Sequence, residues 1–289
     1  MFGGLDMKNF KENGAKIVFM LAACISILAV GLICIFLFVN GIPGMTKIGV
    51  LNFLTGTVWK PGNNIYGILP MILGSIYVTA GALIIGVPTG IITAIFMSHF
   101  ASARITKIMK QAVSLLAGIP SVVYGFFGLI VVVPLIRDLF GGRGTSMLAA
   151  SIILGIMILP TIISISEPAL KAVPKSYYEG ALALGSTHER TVFRVILPAA
   201  KSGVTAGIIL GVGRAIGEAM AVMMVAGNQP RMPKGILEGV RTLTSNIVME
   251  MGYAADLHRE ALIATAVVLF VFILIINLLF SVLKRRAKV

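Results

Sequence analysis

Long apolar runs separated by short charged intervals make up most of this chain. A bilayer-crossing helix takes about 17 to 25 residues, more when tilted. Six stretches with no charge or nearly none meet that length, at residues 17–39, 68–97, 111–136, 146–166, 202–226 and 261–283. Hydrocarbon offers backbone groups no hydrogen-bond partners, so such runs are expected as helices. The pattern predicts an all-α polytopic membrane protein of six transmembrane helices. Its parts are an N-terminal segment 1–16, an anchor helix 17–39, a loop 40–67, a transmembrane core 68–283 and a tail 284–289.

One polar interruption has a pattern of its own. From Ser176 to Pro198 the chain reads SYYEGALALGSTHERTVFRVILP. Ser176 with Glu179 has capping-box spacing, Ala181 to Leu184 favour helix, and Gly185 can close a turn in the left-handed conformation. Ser186 with Glu189 repeats the spacing, and Val192, Phe193, Val195 and Ile196 form an apolar stripe that should stop before Pro198. The expectation is helix, glycine elbow, helix. Such a unit is too short to cross a bilayer and too amphipathic to lie wholly in water. It is either an interfacial hairpin or a surface made for a partner.

Composition agrees with a membrane protein: 57% of residues are hydrophobic and 12% charged, with a mean hydropathy of +0.99. The net charge of +13 would suit nucleic acid, but its distribution follows the spans. Lys8, Lys11 and Lys16, the 98–110 interval (Arg104, Lys107, Lys110), the 167–201 interval (Lys171, Lys175, Arg190, Arg194, Lys201) and the tail (Lys284, Arg285, Arg286, Lys288) hold 15 of the 24 basic residues. The positive-inside rule then puts both termini and these two loops in the cytoplasm, and 40–67 and 227–260 outside. No nucleic-acid partner is needed. The first run has a basic flank and a signal-like Leu21-Ala22-Ala23-Cys24, but it stays apolar too far beyond Cys24 for a signal peptide and reads as an uncleaved anchor. Cys24 and Cys34 stand about 15 Å apart along one helix and cannot bridge within it. No metal-ligand spacing and no phosphate-binding glycine loop occur, so ATP would have to be bound by another chain.

Within the spans, Pro70, Gly74, Ser75, Tyr77, Thr79, Pro88 and Thr93 suit a helix facing the interior. Glu167 reads as a charge at the cytoplasmic edge, Trp59 as an interfacial ring and His258 as a solvated loop residue. A short helix or re-entrant segment is expected within 227–260. Gly203, Gly207 and Gly211, with Gly213 and Gly217, give the fifth span two faces open to close neighbours and suggest a place at the middle of the bundle. Arg214 and Glu218, four apart, should share a helix face. The pair could lock packing, or the planar guanidinium could hold two oxygens of an oxyanion.

Glu179, Gly180, Ala181 and Gly185, followed by Val195, Leu197 and Pro198, resemble the E-A-A…G…I-x-L-P loop of ABC importer permeases. Gly180 and Val195 depart mildly from that pattern. Phe53-Leu54 with Trp59-Lys60-Pro61, the Gly118-Ile119-Pro120-Ser121 stretch, and Arg214 with Glu218 resemble the permeases of phosphate-specific importers. The resemblance implies a type I ABC importer permease fold in a bacterial plasma membrane, with 167–201 as the ATPase-coupling loop. It implies a second permease subunit, a dimeric ATPase that binds ATP and Mg so that this chain needs no cofactor, and an extracytoplasmic phosphate-binding protein. It further implies that 227–260 docks that binding protein and that Arg214 and Glu218 belong to the substrate pathway. Sulfate or molybdate permeases are near rivals. A secondary transporter would have no use for the coupling loop, and a membrane enzyme would need a catalytic constellation that the sequence lacks.

With Cys24 and Cys34 replaced, a cysteine at Ser186 is expected to label only from the cytoplasmic side. Labelling from outside would overturn the orientation.

Overall fold

The computed structural model describes residues 3–286; residues 1–2 and 287–289, with Lys288, lie outside it, as do the side chains of 3–13, 280–281 and 283–286. Among the described residues five helices are long and apolar enough to span a membrane, and one bent pair, taken as one span, brings the count to six. The first, α1, runs Gly3–Ile48, well past the expected end at residue 39 and through Pro43. Packing carries it there: a Cβ on Gly41 would stand 2.6 Å from a Val267 methyl, one on Gly44 2.7 Å from the Glu260 Cβ, and Lys47 pairs with Glu260 at 2.6 Å. Much of the expected 40–67 loop is therefore ordered. A short helix α2 (Val50–Thr55) follows, then a two-stranded hairpin, β1 (Trp59–Lys60) and β2 (Ile65–Tyr66), paired antiparallel with Trp59 opposite Tyr66.

Helix α3 (Leu69–Phe100) closes in a wide π turn over Phe96–Phe100. The expected third span, 111–136, is divided. Pro120 removes an N–H and holds Ile119 extended, at φ −70°, ψ 126°, as proline does to the residue before it. The polar interval before it is helical: α4 (Ala103–Gly118) starts from a Ser102 cap and buries none of its residues. The span itself is α5 (Ser121–Phe140). Helix α6 (Met147–Lys171), capped by Ser146 through the Ala149 N–H at 3.2 Å, runs past the expected end at 166. Glu167 is buried rather than at a solvated edge, and the more exposed Lys110 and Lys171 reach in to it at 3.2 and 2.6 Å.

After α7 (Lys175–Ala183) come α8 (His188–Ala199) and α9 (Lys201–Gly217), bent 71° to one another at Ala200. The expected fifth span, 202–226, is broken again after Gly217, and α10 (Met220–Val225) follows. Helices α11 (Leu243–Glu250) and α12 (Asp256–Arg286) complete the chain; α11 is the short helix expected in 227–260.

The middle of the bundle is α6, not the fifth span. Gly86 and Gly90 of α3 lie against Ile158 and Ile162 of α6; Gly203, Gly207 and Gly211 of α9 lie against Ala169, Ser166 and Ile162. In lipid, where side-chain burial drives helix association weakly, such close backbone approach supplies the dispersion contact. Gly213 and Gly217 have nothing within 4 Å, so only one of the two expected glycine faces is used inside the subunit.

A Cβ on Gly86 would stand 2.7 Å from the Ile158 side chain and 2.8 Å from the Gly155 carbonyl oxygen. Gly86→Ala should therefore destabilise the purified chain by about 1–3 kcal/mol. Gly213→Ala should be neutral or stabilising by up to about 1 kcal/mol, since alanine favours helix. Thermal unfolding in detergent measures both.

Candidate functional site

Pro174, at φ −56°, ψ 136°, leads directly into α7, and the Tyr177 N–H donates to its carbonyl at 3.1 Å. Ser176 consequently lies inside the first turn and caps nothing; the expected Ser176–Glu179 box is absent. The glycine elbow forms as expected. Gly185 sits at φ +82°, its N–H donates to the Leu182 carbonyl at 2.9 Å, and the Ser186 N–H donates to the Ala181 carbonyl at 3.1 Å. This pair of bonds is a Schellman closure. It also moves the second cap by one residue: Ser186 is engaged in closing α7, so Thr187 starts α8, accepting from the Arg190 N–H at 3.3 Å.

Helix α8 passes through Pro198 instead of stopping before it. A π turn over Val192–Ile196 precedes the proline, which lacks only an N–H. Val192 and Ile196 are the fully buried positions of the stripe, while Val195 and Leu197 are half-buried and Pro198 is exposed. Glu179 and Gly180 are exposed and Ala181 is half-buried. At the tip, Leu184 is 91% exposed, an apolar group held outward by the elbow, while Tyr177, 53% exposed, lies in the first turn of α7 at its other end.

Arg214 and Glu218 do not share a helix face. Helix α9 ends at Gly217 and Glu218 turns extended, at φ −73°, ψ 127°. Its Oε1 accepts from the Ala221 N–H at 3.0 Å, starting α10, and its carbonyl accepts from the Thr244 hydroxyl at 2.9 Å. Glu218 thus fastens a helix break to α11. Arg214 reaches only Thr161 Oγ1 of α6, at 3.4 Å, and no carboxylate pairs with it among the described residues. A packing lock between the two is excluded in this conformation. The guanidinium stands exposed on the face of α9 that also carries Gly213 and Gly217.

The 40–67 and 227–260 segments meet on one carboxylate that sequence reading missed. Glu250 accepts from Arg241 Nη1 at 2.6 Å, from Trp59 Nε1 at 2.9 Å and bonds His258 Nε2 at 2.8 Å. Arg241 also donates to Asn246 Oδ1 and to the Asn228 carbonyl, each at 3.0 Å. Trp59 is therefore a buried donor rather than an interfacial ring. His258, stacked on Tyr66 with centroids 6.1 Å apart, is half-buried rather than solvated. Burial, then the Glu250 charge, pushes the Tyr66 phenol up. The same two causes raise Tyr253, with Arg241 opposing. Residues 59 and 250 are too far apart for any periodic signal to connect them.

Comparison with known proteins now bears on this arrangement. Residues 86–289 match the model of the family described as binding-protein-dependent transport system inner membrane component. The chain belongs to that family. A Bacillus subtilis (strain 168) relative named Probable ABC transporter permease protein YqgH is 40% identical over 98% of this chain and 94% of its own length. The phosphate transport system permease protein PstC of Mesorhizobium japonicum is 33% identical over 88% of this chain and 84% of that one. A Methanocaldococcus jannaschii protein named as a probable PstC is 32% identical over 93% and 92%. Among solved structures, a bacterial alginate ABC transporter chain superposes with a TM-score of 0.67 at 17% identity, covering 96% of each chain. The MetNI methionine transporter gives 0.57 at 20% identity, covering 76% of this chain and 94% of that one. At these identities the likeness shows the fold, that of a type I ABC importer permease. Family membership makes this chain a multi-pass membrane component of a transport system.

Removing the shared acceptor should leave Arg241 uncompensated. Glu250→Ala is expected to cost about 3–5 kcal/mol, seen as a lowered unfolding midpoint, and Arg241→Met in the same chain should recover part of that loss.

Proposed function

We propose that this chain is the permease subunit of an ATP-driven inorganic phosphate importer. The observation that carries the reading is the exposed helix–elbow–helix unit of residues 175–199, in a chain whose relatives over most of its length include phosphate transport permeases. The elbow presents Leu184 to a separate ATPase dimer, which binds ATP and Mg. A second permease subunit completes the pathway, and an extracytoplasmic binding protein delivers phosphate to the 227–260 side. Both termini and the 167–201 segment lie in the cytoplasm.

Arg214 is the group of this chain that meets the anion. A guanidinium at membrane depth is costly against lipid, and its fork matches two oxygens of a tetrahedral oxyanion. Lacking a carboxylate partner, it needs no exchange before it can bind. Glu218 acts on the same site at one remove, by holding the break between α9 and α10 beside Arg214.

Arg214→Gln should lower phosphate uptake roughly tenfold or more, the worth of charge-assisted hydrogen bonds, with the subunit still in the membrane and still copurifying with its ATPase. The measurement is labelled phosphate uptake in cells lacking other phosphate carriers, with excess sulfate and molybdate as competitors. Undiminished uptake in Arg214→Gln overturns the arginine's role; no phosphate uptake above that of cells lacking this chain, with uptake of labelled sulfate or molybdate instead, overturns the substrate.

A further inference from the structure

Across the elbow, the two coupling helices are joined by side chains as well as by backbone. The Tyr178 hydroxyl of α7 lies 2.8 Å from His188 Nδ1 at the start of α8. Phe100, the last residue of α3, sets its ring against the same imidazole, centroids 4.7 Å apart at 69°. Tyr178 also packs on a buried apolar cluster that includes Ala94 and Ile95 of α3, Leu170 of α6 and Val192 and Ile196 of α8. One imidazole therefore touches both halves of the elbow and the inner end of α3. The outer end of α3 is bonded in turn: Ser75 Oγ accepts from the Leu243 N–H of α11 at 2.9 Å.

The Schellman closure alone fixes the turn but leaves α7 and α8 joined through a few backbone bonds at a solvent-exposed tip. We propose that Tyr178 and His188 are positioning residues that clasp the two coupling helices into one rigid body and, through Phe100, register that body against α3. This rests on reading residues 175–199 as the ATPase-coupling loop. A push received at Leu184 is then transmitted to α3 instead of being absorbed by flexing at Gly185. The clasp carries no proton or substrate chemistry; its role is stiffness.

The clasp is tested first in the isolated chain by amide hydrogen exchange across residues 184–191. Tyr178→Phe and His188→Ala should each raise exchange about fivefold, the population change of one neutral hydrogen bond. The double variant should go no further, since the two remove the same interaction. His188→Asn, whose amide oxygen can stand near the lost ring nitrogen, should restore protection. Unchanged exchange in the single variants, or additive effects in the double, overturns the clasp.

The positioning role is read in the assembled importer as phosphate moved per ATP hydrolysed. That ratio should fall in Tyr178→Phe and His188→Ala at unchanged ATPase recovery, and return in part in His188→Asn, which restores the hydrogen bond but not the ring against Phe100. Faster exchange with an unchanged ratio overturns the role. Gly185→Val separates this from the reading beneath it. If Gly185→Val leaves ATPase recovery and the ratio intact, the coupling loop itself is misassigned and the role of the clasp goes with it. If Gly185→Val uncouples while Tyr178→Phe does not, the clasp alone fails.

Discussion

Helix α6 can be gripped closely from two sides because its neighbours turn glycines toward it. Gly86 and Gly90 from α3, and Gly203, Gly207 and Gly211 from α9, lay backbone directly on Ile158, Ile162, Ser166 and Ala169. A methyl group at most of these positions would collide, so the three helices form one close-packed unit with little room for adjustment. The remaining elements are arranged from its ends. At one end, the Met147 and Leu148 N–H groups of α6 donate to the carbonyls of Glu238 and Ile236. At the other it passes Glu167, with its two lysines, and leads into α7 and α8. A close-packed central helix of this kind holds the elements at its two ends at a fixed separation.

Against that rigid unit, the breaks are where conformation is set by side chains. The chain bends at Ala200, stops at Gly217 and restarts at Met220. At the second break the orphan backbone groups are met by Glu218 and Thr244, not by helix ladder. Interrupted helices inside a membrane are tolerated where other protein groups or a watered cavity satisfy them, and here the interruption stands next to the exposed guanidinium.

What the sequence disclosed follows from how local each signal is. The left-handed Gly185 and most of the apolar runs depend on residues within a few positions and appear where expected, whereas the third span starts only after Pro120 and the fifth is broken after Gly217. The caps shifted by a residue because neighbours compete: Pro174 initiates α7 ahead of Ser176, and the Schellman bond engages Ser186 and leaves Thr187 to start α8. The Arg214–Glu218 pairing failed for a different reason, since spacing of four implies a shared face only while the helix continues, and nothing in the residues alone announced a stop at Gly217. The Glu250 cluster was hidden entirely, being assembled from a hairpin, a loop and two helices that meet only in the folded chain.

The face of α9 bearing Gly213, Arg214 and Gly217 has a consequence for the supply of this protein. Left against lipid, an arginine within a span carries a penalty of up to about 2.5–3.5 kcal/mol on insertion scales, and anything that covers it returns free energy to the folded state. By mass action, the stability of this subunit then depends on the concentration of whatever covers that face. Copies made in excess of it are then the less stable fraction.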